Sequence, residues 1–128
     1  MHELKIEPAG EKTTYLPGEK IEGRTSWRVE KAPARAFLSL LWYTHGRGTT
    51  DSSVVQQLEL NNPMYEDRRE FSFQLPPAPY SFSGKLVSLS WALELVLEPG
   101  GDVRRLEFIM APEAREISLL SDQPSQFS

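Results

Sequence analysis

His2 and His45 are the only imidazoles in the chain, so acid–base or metal chemistry must be built around one of them or around carboxylates. His45 is followed by Asp51, Ser52 and Ser53, the residue types of a hydrolytic triad. A triad needs its serine on a strained turn and its base held by the acid. Here these residues lie in or beside the polar stretch His45-Gly46-Arg47-Gly48-Thr49-Thr50-Asp51-Ser52, with no nucleophile elbow, and the stretch reads as a flexible hairpin loop. Gly46-Arg47-Gly48 is too short to cradle a phosphate and no helix follows it. The two histidines share no ligand spacing with carboxylates, so no metal is expected. With no cysteines in the chain, thiolate zinc sites, iron–sulfur clusters, disulfides and cysteine nucleophiles are excluded. The expectation is a non-enzyme with no cofactor, and a small hydrolase based on His45 ranks third among the readings.

Binding chemistry has more candidates. Trp27, Trp42, Tyr43 and Trp91 could stack sugar rings, which makes a carbohydrate-binding module the main alternative. However, Trp27, Trp42 and Trp91 fall on the apolar parities of their segments, where aromatics fill a core. Tyr43, Tyr65 and Tyr80 lie in or near loops. Together with Arg47, Arg68 and Arg69 they are residue types enriched at interface hot spots, and these six form the candidate partner-binding set. Arg68-Arg69 beside Glu66, Asp67 and Glu70 also reads as a solvated, charge-balanced strand end.

The elements that would position such residues follow from punctuation and period. The chain has 128 residues with ten prolines and eight glycines, a size for one domain and a turn density too high for a helical bundle. Residues 1–120 are expected to form that domain and 121–128 a frayed polar tail. A net charge of −4 and a pI near 5.2 argue against a nucleic-acid partner. No segment suits a signal peptide or a membrane span, and a cytoplasmic setting is expected.

Residues 2–7 read as an edge strand ended by Pro8-Ala9-Gly10. Pro17-Gly18 supplies a type II turn. Beyond it, Ile21, Gly23, Thr25, Trp27 and Val29 alternate with Glu22, Arg24, Ser26, Arg28 and Glu30, one face dry and the other wet. Ala36 to Tyr43 is apolar on both parities and reads as a central strand. Further strands are expected over Val54 to Leu60, around Phe71, Phe73 and Leu75, along Val87 to Leu97, and from the Glu98-Pro99-Gly100-Gly101-Asp102 turn to Met110. Residues 112–120 lean to extended structure. About seven short strands without a long helix imply an all-β, two-sheet antiparallel sandwich of immunoglobulin-like type.

Three stretches then resemble the arrestin-like superfamily of β-sandwich proteins. They are Tyr15-Leu16-Pro17-Gly18-Glu19-Lys20-Ile21-Glu22-Gly23; Phe71-Ser72-Phe73-Gln74-Leu75-Pro76 running into Pro79-Tyr80-Ser81-Phe82-Ser83-Gly84; and Ser88 to Leu95 with its central Trp91. Their order and spacing are similar to that superfamily over residues 2–110, covering one sandwich where arrestins and bacterial sporulation-control relatives pair two. The resemblance implies a scaffold or adaptor that docks a protein partner and transfers no site. Sheet edges offer a route for docking or homo-oligomerisation, the strand over residues 2–7 being the expected edge and Ile6→Pro the substitution expected to weaken it.

Overall fold

The computed structural model describes residues 2–46, 50–112 and Ile117–Ser118. Its strands are β1 (Glu3–Pro8), β2 (Thr14–Tyr15), β3 (Lys20–Arg28), β4 (Arg35–Gly46), β5 (Asp51–Glu59), β6 (Glu66–Gln74), β7 (Phe82–Ser83), β8 (Val87–Glu98), β9 (Asp102–Met110) and β10 (Ile117–Ser118), with a 3-10 turn at Ala9–Glu11. The smaller sheet is β1–β3–β6, antiparallel throughout. In the larger sheet the order is β10–β7–β8–β4–β5, with β9 also on β8 and β2 pairing β9 in parallel. All-β, two-sheet architecture is what the strand periods imply.

The alternation along β3 decides which way the smaller sheet faces. Ile21, Thr25 and Trp27 are buried on one face with Gly23 between them, and Glu22, Arg24, Ser26 and Arg28 alternate on the other. From the other sheet, Leu89, Trp91, Leu93, Leu95 and Leu97 of β8 and Ala36, Leu38 and Leu40 of β4 meet them in one cluster. Each fully buried large side chain contributes about 1.5–3 kcal/mol. Both buried indoles keep their donors satisfied: Trp27 Nε1 donates to the Met64 carbonyl and Trp91 Nε1 to the Pro79 carbonyl, each at 2.7 Å.

The stretches that carry the family resemblance lie side by side. Leu16 to Glu19 is a tight turn closed by Glu19 N to Leu16 O at 3.0 Å, with Gly18 at a φ of 79°. Glu19 Oε1 accepts from the Leu16 amide at 2.8 Å, and its carbonyl accepts from Leu75 N at 2.9 Å. Ile21 then pairs with Phe73 and Lys20 with Gln74. Past Pro76 the chain crosses to the larger sheet, held by the Trp91–Pro79 bond and by a reciprocal pair in which Ser81 N donates to Met110 O and Met110 N to Ser81 Oγ.

Some boundaries differ from the sequence reading. The polar stretch 45–52 is not all loop: His45 and Gly46 finish β4, and Asp51 and Ser52 open β5, because Thr44 pairs with Asp51 and Tyr43 with Ser52. Strand β6 starts at Glu66, so its charged first half is paired rather than a free strand end. The lean to extended structure near 112–120 holds for Ile117–Ser118, which pair with Phe82–Ser83. The tail 121–128 lies outside the described residues.

Candidate functional site

Among the described residues His45 does not meet the acid and serines that follow it in sequence. His45 Nε2 is 3.4 Å from Ser90 Oγ and its ring tilts against Tyr43. Asp51 meets this end of the hairpin through its backbone, its N–H donating to Thr44 Oγ1 at 3.2 Å. Among the described residues no hydrogen bond joins His45 to Asp51, Ser52 or Ser53, and no group of three or more potential metal ligands forms. His2 Nδ1 instead sits 3.0 Å from Asp102. Arg47 and Gly48 lie outside the described residues.

The outer face of the larger sheet carries a closed network. The Tyr43 phenol donates to Glu107, and the Arg105 guanidinium lies 4.7 Å above the Tyr43 ring while bonding Glu94 at 2.7 Å. Ala92 pairs with Leu41 on one side and Glu107 on the other, and both apolar residues are buried beside this network although they face outward. Burial, then the Glu107 carboxylate, pushes the Tyr43 phenol above its ordinary pKa, against a smaller opposite effect of Arg105. Tyr43 is thus engaged within the fold.

On the outer face of the smaller sheet, register sets three rows: Glu3–Arg28–Glu66, Lys5–Ser26–Arg68 and Glu7–Arg24–Glu70. Eight exposed charges of alternating sign therefore ring the half-buried Ser26. Arg28 bonds Glu66 at 2.8 Å, and Lys5 approaches Glu3 at 3.9 Å. Arg68 belongs to this ring, but Arg69 is on the opposite side of β6. It bonds Asp67 and the carbonyls of Asn61 and Asn62, which holds the 60–65 turn. Tyr65 is 54% exposed on that turn and Tyr80 is 39% exposed on the crossover. The described members of the six-residue set are therefore spread over separate surfaces.

Sequence reasoning missed an uncharged free edge. Strand β5 pairs with β4 and, among the described residues, with nothing else. From Ser52 to Leu58 it carries no charge and no proline, and Val54 and Val55 are 57% and 41% exposed. Val55 is the extra residue of a bulge, since Val54 pairs with Leu41 and Gln56 with Leu40. The signal was present as an uncharged seven-residue run, the composition that edges usually avoid. Strand β1, the edge expected from sequence, is less open, because it runs close beside β9 of the other sheet. Ile6 is a core residue, so Ile6→Pro would disturb packing rather than report on an edge.

No family profile matches the sequence, and no curated protein matches it either. Among solved structures 41 chains match. One is Spo0M, a sporulation control protein from Bacillus subtilis, which superposes with a TM-score of 0.62 at 18% identity over 85% of this chain and 49% of that one. The chain thus spans about half the length of Spo0M, at 49%. At this identity the likeness establishes the fold, an arrestin-like β-sandwich, as the three ordered stretches imply.

Proposed function

We propose that this chain is a non-catalytic arrestin-like interaction domain, set in the cytoplasm, that takes an extended segment of a protein partner onto the free edge of β5. The observation carrying this reading is that edge itself: Asp51–Glu59, bonded on one side, uncharged through its middle and exposing Val54 and Val55. An added strand gains main-chain hydrogen bonds for affinity and alternate side-chain contacts for specificity. A lysine in such an edge blocks the addition without touching the core. Tyr65, Arg68 and Tyr80 are exposed enough to serve as secondary contacts. Against a sugar-binding reading, Trp27 and Trp91 are buried with both indole donors used, which leaves only the partly buried Trp42 and Tyr43 of its four aromatics.

The test uses the whole chain as bait, with Val55→Lys and Arg68→Ala as variants. A partner held by the wild type should slow hydrogen exchange at the amides of residues 51–59. Its affinity should fall about tenfold or more with Val55→Lys and change little with Arg68→Ala. A partner that leaves the β5 amides exchanging as in the free chain, or that binds Val55→Lys equally, overturns the reading.

A further inference from the structure

One end of the sandwich holds a cleft of about 420 Å³ between the β3–β4 connection and the β8–β9 turn. Its apolar lining is Val29, Ala32, Pro33, Ala34, Leu97 and Pro99. Val29 and Leu97 are buried core residues, so the cleft reaches the edge of the core. Ala34 N donates to the Glu98 carbonyl at 2.9 Å, tying the two walls together. Volume and lining suit a small molecule: ligand pockets of roughly 300–1,000 Å³ are mostly apolar with a few polar groups that fix orientation.

The polar groups select the sign of the ligand. Glu30, Glu98 and Asp102 line the cleft against Lys31 and His2. Asp102 already accepts a nitrogen donor here, with His2 Nδ1 at 3.0 Å. An ammonium could take the same carboxylate as a charge-assisted donor. An anionic ligand would meet carboxylates with Lys31 as its fixed cation.

We propose that this cleft is a binding site for a small organic amine, its aliphatic or phenyl body seated over Val29 and Leu97 and its ammonium held by Asp102 and Glu98. The site uses none of the residues of β5, so it stands or falls separately from the edge reading.

The experiment is a titration of the isotope-labelled full chain, followed by amide NMR, with phenethylamine, 2-phenylethanol and 3-phenylpropionate. These share one body and differ in the head group. The amine should give saturable shifts at Val29, Ala34, Gly100 and Gly101. The alcohol should bind about tenfold more weakly, one charge-assisted hydrogen bond's worth, and the carboxylate should not bind measurably. Asp102→Asn should bring the amine down to the alcohol's affinity, with the rest of the spectrum preserved as a check on folding. If that variant unfolds, the order of the three probes on the wild-type chain decides. No saturable shift with the amine, or an alcohol as tight as the amine, overturns the proposal. So does N-acetyl-leucyl-lysinamide binding more tightly than phenethylamine, because that result assigns the cleft to a polypeptide.

Discussion

Arg69 forks onto Asp67, two residues earlier on the same side of β6, with Nε to Oδ1 and Nη2 to Oδ2 both at 2.9 Å. Asp67 Oδ2 also accepts from Met64 N at 2.9 Å, and Arg69 Nη2 reaches the carbonyls of Asn61 and Asn62. One ion pair thereby satisfies the Asn61 and Asn62 carbonyls and the Met64 amide, in the turn that Trp27 and Val29 also grip. Arg69→Ala should cost about 2 kcal/mol in urea unfolding, because it leaves a mostly shielded carboxylate unpaired.

The same pair predicts acid sensitivity. Asp67 titrates below its ordinary value of 3.8, first because of the Arg69 hydrogen bond and then because of the Met64 and Arg68 amides, with burial opposing. A carboxyl with a lowered folded pKa adds stability that is fully present above the unfolded value and fades as pH falls through the folded one. Unfolding measured from pH 7 downward should show a loss beginning near pH 4, and Asp67→Asn should flatten that limb.

Gly23 is a steric requirement. A Cβ there would lie 2.3 Å from the Glu7 carbonyl oxygen and 2.7 Å from Pro8 Cα, both backbone atoms of β1. Gly23→Ala should therefore push β1 off β3 and lower stability by about 2 kcal/mol or more. Thermal unfolding checks the cost, and faster hydrogen exchange in β1 would locate it.

Ser81 is 1% exposed, and its hydroxyl is the acceptor for the Met110 amide at 3.0 Å. Ser81→Ala strands that buried N–H, at about 1–3 kcal/mol. Ser81→Gly should behave alike, and an unchanged urea midpoint in both would refute the assignment.

Tyr43 gives a spectroscopic readout of the outer face. Its phenol ionises above the ordinary 10.0 through burial first and Glu107 second. A tyrosine raised in the fold contributes stability below pH 10 that is lost as pH climbs toward the folded value. Ultraviolet titration should therefore show a late tyrosine, absent from Tyr43→Phe and moved to lower pH by Glu107→Gln.

Period-two patterning was enough to orient β3 and to assign Trp27 and Trp91 to the core, because burial in a sandwich follows parity. It also made β4 a central strand, although the cover on its outer side comes from Tyr43, Glu94, Arg105 and Glu107 rather than from another layer. Arg69 escaped for the converse reason. Its parity matches Phe71 and Phe73, but a charge there looks solvated until the Asn61 and Asn62 carbonyls are folded over it. The extent of β5 was hidden because pairing with β4 organises Asp51 to Ser53, whose side chains show no alternation of their own. Nothing in the spacing of residues 29–34 and 97–102 announced the end cleft, since both walls are turns that meet through tertiary contact.

Eight charges that alternate around Ser26 cancel in pairs, so that ring has no net charge to project. The field of such an array is a high-order multipole, which falls off far faster with distance than that of a single charge. Within about one Debye length, roughly 8 Å at physiological salt, it has faded to the background of the solution. This face should therefore neither pull a partner in from afar nor repel one. An approaching molecule would be oriented by the rest of the surface.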